Sequence, residues 1–135
     1  MPVTVRVGDG TINGAFLHAY NNAWFYSVRF FDGRIVPEGI WSDHLQRTTV
    51  NGRQAMLRVQ GVSFIRGVSN VTINVFDPQT LAPISSEAHN IDGSIFRRTF
   101  DGAHVTSVTL ANANDAQMAV ASELPQPVYD FNGGM

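Results

Sequence analysis

The residues best suited to chemistry are four histidines and eleven carboxylates, because imidazole and carboxylate groups transfer protons and bind metal ions. The chain has no cysteine, which excludes thiol nucleophiles, disulfides and thiolate metal sites. No two histidines have the spacing of a metal-binding strand or helix. We therefore predict no metal site and no cofactor. The histidines are His18, His44, His89 and His104.

Covalent catalysis has little support in the sequence. Ser85 and Ser86 precede Glu87 and His89, but there is no Gly-x-Ser-x-Gly elbow, and a serine on a regular strand lacks an oxyanion hole. We expect Glu87 to face Arg98 across a hairpin, which would lower its carboxyl pKa, whereas an acid catalyst needs a raised one. We assign no catalytic residue, and a small barrel enzyme using histidine and carboxylates is the third alternative.

The charge and hydropathy of the chain restrict its partners. The formal net charge is −2, so the concentrated basic surface that nucleic acids require is not indicated. No apolar run is long enough to span a membrane. The sequence opens without an export signal. We expect a cytoplasmic location for the sequence as it stands, and a periplasmic one for a chain whose leader has been removed.

The elements that must position these residues are strands. Apolar residues alternate over short runs bounded by glycine, asparagine and aspartate, and no stretch has helical periodicity over three turns. Asn51-Gly52 predicts a two-residue hairpin turn in which Val50 faces Arg53. The stretch 40–50 is ambiguous, because residues 41–45 also suit a helical turn.

The stretch 76–111 reads as three strands joined by Asp92-Gly93 and Asp101-Gly102. If both are two-residue turns, His89 pairs with Phe96 and Glu87 pairs with Arg98. These four residues then share one face. Neither face of this meander is plainly a core, which is typical of a sheet that bounds a cavity or an interface.

This stretch also resembles a known group. Asp77, Thr80-Leu81-Ala82-Pro83, a turn at Gly93 and the run Arg98-Thr99-Phe100-Asp101-Gly102 are similar to an uncharacterised bacterial family of exported antiparallel sheets. That family is broadly similar to the open half-barrels of lipoprotein-localisation factors. The resemblance implies a β half-barrel and an apolar ligand, and it implies no catalytic residues.

We therefore predict a mainly β protein, an antiparallel meander of about eight strands with little helix that forms an open barrel or half-barrel. Residues 1–135 are expected to be one domain, and the aromatic end at 128–135 suggests the N-terminal part of a longer chain. The leading hypothesis is a non-enzymatic domain whose apolar cavity or groove binds a lipid-like or other hydrophobic small molecule. The alternative is an interaction domain that forms a homodimer, or pairs with a missing C-terminal half, through sheet edges. The predicted ligand-binding residues are Trp24, Tyr26, Phe30, Trp41, His89, Phe96 and Arg98.

Overall fold

The computed structural model describes residues 6–65, 67, 69–112, 114–115 and 118–127. They form one eight-stranded antiparallel sheet in which each strand pairs with the next along the chain. The strands are β1 (Tyr20–Arg29), β2 (Ile35–Val50), β3 (Arg53–Phe64), β4 (Ser69–Phe76), β5 (Pro83–Asn90), β6 (Ile95–Asp101), β7 (His104–Leu110) and β8 (Ala119–Glu123). The predicted antiparallel meander is confirmed. The sheet does not close, so β1 and β8 are its edges, which fits an open half-barrel.

Helix is scarce in the described part of the chain. It is limited there to the short 3-10 turn Gly14–Phe16, and no described helix has the length and apolarity needed to cross a membrane. The aromatic segment 128–135, from which we expected a longer chain, lies outside the described residues.

The hairpin between β2 and β3 forms as predicted. Asn51 and Gly52 both have positive φ, at 50° and 77°, which a two-residue type I′ turn requires. Val50 faces Arg53, and the ladder continues without a shift to Gly39 opposite Phe64. The helical alternative at 41–45 is wrong, because β2 is extended throughout and pairs with β1 on its other side.

The hairpin between β5 and β6 differs from the prediction by one residue. The Asn90 amide donates to the Ser94 carbonyl oxygen at 3.0 Å, so the loop is the three-residue sequence 91–93. Asp92 Oδ1 accepts from the Ser94 amide at 2.9 Å, and Gly93 takes the left-handed conformation at φ 82°. An aspartate bonded to the backbone two residues ahead, followed by glycine, stabilises this longer loop.

That extra loop residue moves β6 to the opposite face relative to β5. Glu87 therefore faces Arg97 rather than Arg98, and His89 faces Ile95 rather than Phe96. The predicted pairing of Glu87 with Arg98 is wrong for this reason.

The two faces of the sheet differ in burial. The inner face is the one that carries Asp43, Gln60 and Thr72, which lie directly opposite one another on β2, β3 and β4. The outer face carries Glu87 and Arg97. Most buried residues lie on the inner face, as expected for a sheet that curls around it. The buried inner-face residues are Asp43, Leu45, Met56, Gln60, Val62, Thr72, Asn74, Ser86 and Val105.

An N-terminal segment, residues 12–19, crosses one end of the inner face, and we call it the strap. The Gly14 amide donates to the Gln79 carbonyl oxygen at 2.7 Å in the turn between β4 and β5. A Cβ at Gly14 would overlap the carbonyl oxygen of Pro78, so this close approach requires glycine. From there the strap runs to Tyr20, where β1 begins.

Candidate functional site

The inner face is built around a part-buried ion pair between β2 and β3. Arg58 Nε donates to Asp43 Oδ1 at 3.0 Å, and Arg58 Nη2 donates to Asp43 Oδ2 at 2.6 Å. This two-pronged geometry is the strongest form of an arginine–carboxylate contact. The hydrogen bonds that Arg58 donates to Asp43 raise the pKa of Arg58 despite its partial burial. Burial, with a contribution from Asp43, raises the pKa of the neighbouring Tyr20 phenol.

A polar row continues from this ion pair across the sheet. Strand register places Arg58, Asn74, Ser86, Arg98 and Ser107 side by side on β3 to β7. Beside it, Gln60 Nε2 contacts Asp43 Oδ2 at 3.5 Å. The centre of the inner face is therefore polar, unlike the apolar wall that a purely hydrophobic ligand would need.

A cavity of about 260 Å³ lies where the strap meets the inner face. Its walls are mostly apolar, and Arg58 supplies its charged group. Asp43 is buried behind the guanidinium and does not line it, so the cavity meets the cationic half of the ion pair. The lining residues are Leu17, Tyr20, Leu45, Arg58, Asn74, Phe76 and Leu81.

The outer face carries a second charged cluster on β5 and β6. The Glu87 carboxylate accepts from Arg97 Nε through one oxygen and contacts His89 Nε2 through the other. Partial burial alone would raise the pKa of Glu87, but the hydrogen bonds from Arg97 and His89 outweigh burial and hold it below its ordinary value. No group of three or more histidines and carboxylates among the described residues could hold a metal ion.

This cluster yields a pH-dependent prediction. Because the folded pKa of Glu87 is lowered, its stabilising effect is present above the ordinary pKa and is lost as pH falls through the folded value. We expect Glu87→Gln to lower the free energy of unfolding by about 1 kcal/mol at neutral pH and by less in acid. Urea unfolding at about pH 7 and pH 3.5 measures both.

The matched control is Glu123→Gln at the β8 edge. Glu123 also contacts a histidine, His104 Nδ1 at 2.9 Å, but its side chain is 71% exposed. We expect a loss below about 0.5 kcal/mol there. Equal losses for the two variants, or a Glu87→Gln loss that does not shrink in acid, would contradict the assignment.

The third feature is a surface of exposed apolar residues on β1, on the start of β2 and in the loop between them, which we call the aromatic edge. Phe25 is 82% exposed and Phe31 is fully exposed at the hairpin tip. A notch of about 450 Å³ beside β1 is lined by Tyr26, Pro37 and Phe64 among others, and the Tyr26 and Phe64 rings meet edge to face at 6.0 Å. The exposed apolar residues of the aromatic edge are Trp24, Phe25, Tyr26, Val28, Phe30, Phe31, Ile35, Val36 and Ile40.

The seven predicted ligand-binding residues do not form one cluster. Trp24, Tyr26 and Phe30 lie on β1 or at its end, with Trp41 directly opposite Trp24 on β2. Phe96 and Arg98 share the inner face on β6, where the guanidinium stacks 5.1 Å from the Phe96 ring centroid. They are four strands from β2, about 19 Å along the sheet. His89 lies on the outer face.

Sequence reasoning missed Asp43 and Arg58, although a signal for them was present. The Asn51-Gly52 turn fixes the register of its hairpin, and extending that ladder places Leu45 opposite Arg58 and Asp43 opposite Gln60. An acid and an arginine are thus diagonal neighbours on one face. Diagonal pairs lie within reach of a long side chain.

Comparisons of the chain with protein-family models, with curated proteins and with solved structures found no match. The resemblance to lipoprotein-localisation half-barrels therefore stays a prediction drawn from turn residues.

Proposed function

We propose that this protein is a self-associating interaction domain, in which β1 of one copy pairs edge to edge with β1 of a second copy. The observation that carries the proposal is the composition of β1. It is the edge of the sheet, it is ten residues long, and it exposes aromatic side chains on both of its faces. Natural edge strands are usually short, charged or interrupted by proline, which prevents such pairing.

β1 has few of these protections. Its single charged residue is Arg29, at its last position, and it contains no proline. The bulge between β1 and β2 places its extra residue, Glu38, on β2, so β1 keeps a regular edge. The opposite edge, β8, is half as long and ends in Glu123. Edge pairing is therefore favoured at β1.

The aromatic side chains on both faces of β1 favour a strand partner over a surface partner. A partner that covered one side of the sheet would need only one apolar face. When two edge strands pair, side chains on both faces gain neighbours across the new ladder, so aromatic side chains on either face contribute to the contact. Trp24 and Tyr26 project from the inner face, and Phe25 projects from the outer face.

The available area is suitable for a stable dimer. The aromatic side chains of the aromatic edge expose roughly 600 Å² of surface in total, given the usual size of these side chains. A typical interface buries about 800 Å² per partner. A second copy is the natural occupant because a twofold axis places the same strand, antiparallel, on both sides of the interface.

Phe25→Lys tests the proposal directly. The side chain is exposed, so the sheet tolerates the change, whereas a lysine on each of the two paired edge strands disfavours the pairing. We expect wild-type protein to sediment as a dimer of twice 14.8 kDa. Because each substitution acts twice in a twofold interface, the dissociation constant should rise at least about a hundredfold.

Val120→Lys on β8 is the matched control, because Val120 is also an exposed apolar residue on an edge strand. We expect it to sediment as a dimer with wild-type affinity. Equal weakening by both lysines, or dissociation by Val120→Lys alone, would overturn the assignment to β1.

A further inference from the structure

We propose that the cavity under the strap binds a small amphipathic anion, with its apolar part against the leucines and its acceptor group on Arg58. This site is separate from the aromatic edge, and the proposal does not depend on self-association. It gives the predicted hydrophobic ligand a negative charge and a location away from the seven ligand-binding residues that the sequence predicted.

The polarity of the ligand follows from the ion pair. Both oxygens of the Asp43 carboxylate accept hydrogen bonds from the Arg58 guanidinium. The Arg58 side chain keeps 31% exposure and lines the cavity. A guanidinium has five N–H donors, and the contacts with Asp43 use one on Nε and one on Nη2, so Arg58 has more donors than Asp43 alone engages. A carboxylate suits this group, whereas an ammonium would be repelled by the guanidinium that lines the same cavity.

The size and shape of the ligand follow from the walls. The volume of about 260 Å³ lies just below the range of drug-sized sites, which favours a molecule of about ten non-hydrogen atoms. Leu17 approaches from the strap, and Leu45 and Phe76 approach from the sheet. Apolar walls with one convergent charged group are the usual composition of a small-molecule site.

The strap forms one wall of the cavity, and it is not part of the sheet. Leu17 belongs to the segment that Gly14 anchors to Gln79, whereas the other walls belong to the sheet or to the turn after β4. Movement of the strap can therefore widen the cavity for a ligand without separating any strand pair.

Octanoate, with eight carbons and a carboxylate, is the test ligand, and octylammonium is its cationic match. We expect octanoate to shift the methyl resonances of Leu17, Leu45 and Leu81 saturably, with a dissociation constant of about 1 mM or tighter. Octylammonium should bind at least about tenfold more weakly. Equal binding of the two ions would overturn the anion preference, and shifts confined to the aromatic edge, or no shifts, would overturn the site.

Leu17→Trp and Phe16→Trp form the matched pair of variants. Both add the same ring to the strap, but Leu17 lines the cavity and Phe16 is 79% exposed. We expect Leu17→Trp to fill the cavity and weaken octanoate binding at least tenfold, while Phe16→Trp binds as wild type does. Chemical shifts of the β3–β4 amides confirm that the sheet is intact in both. Wild-type affinity in Leu17→Trp would overturn the proposal.

Discussion

Replacing Asp43 with asparagine is expected to lower the free energy of unfolding by about 3 kcal/mol. The substitution leaves the Arg58 charge without a counterion on the inner face, and breaking a buried pair on one side costs about 3–5 kcal/mol. We expect a loss at the lower end of this range because the Arg58 side chain keeps some contact with water. Urea unfolding at neutral pH measures the change.

Two further variants separate the ion pair from general effects of the substitution. Asp32→Asn changes the same residue type in an exposed turn pair with Arg34, and we expect a much smaller loss of stability than for Asp43→Asn. The double variant Asp43→Leu with Arg58→Met removes both charges, and it should recover most of the lost stability. If the double variant were less stable than Asp43→Asn, the loss would not come from the unpaired charge.

Replacing Met56 with alanine is expected to cost about 3 kcal/mol, within the range for large buried side chains. Met56 is 1% exposed and is the largest fully buried side chain among the described residues. It lies on β3 opposite Phe76, on the inner face near the strap. An open sheet has little other apolar core, so few neighbours can move to fill the space.

Met118→Ala is the control for this prediction. Met118 is 79% exposed just before β8, so the same change in side chain should alter stability by less than about 0.5 kcal/mol. A loss below 1 kcal/mol for Met56→Ala would show that the inner face is not the core of this protein.

The strands were predictable from the sequence because turn chemistry is local. Asn51-Gly52 can place both residues at positive φ, so the sequence itself determines the register of that hairpin. Asp77 likewise begins the turn after β4, where its carboxylate accepts from the amides of Gln79 and Thr80. Such contacts depend on residues two or three positions apart.

The face of each strand was harder to predict than its position. Asp-Gly after a hydrophobic residue suits both a two-residue and a three-residue loop, and the choice reverses one strand of the pair. The loop at 91–93 took the longer form, which separated His89 from Phe96 and Arg98. The length of this one loop therefore placed His89 on the opposite face of the sheet from Phe96 and Arg98.

The polar inner face was unpredictable for a different reason. Burial of Asp43, Gln60 and Thr72 contradicts the alternation rule, which assigns polar residues to solvent. Their burial depends on curvature of the whole sheet and on the strap, which contacts the turn after β4 although more than sixty residues separate them. The aromatic edge is the reverse case. Its residues have the composition of a buried core, but they are exposed at the edge of the sheet.

The central claim is that β1 of one molecule pairs with β1 of another, and amide hydrogen exchange of β1 tests it most directly. Amides on the free edge of β1 have no strand partner among the described residues of a single copy, so pairing between copies should protect them. Exchange followed by mass spectrometry, at concentrations far above and far below the measured dissociation constant, should show protection of β1 that disappears on dilution while β3 and β4 stay unchanged. Exchange in β1 that is equally fast at both concentrations would contradict the account.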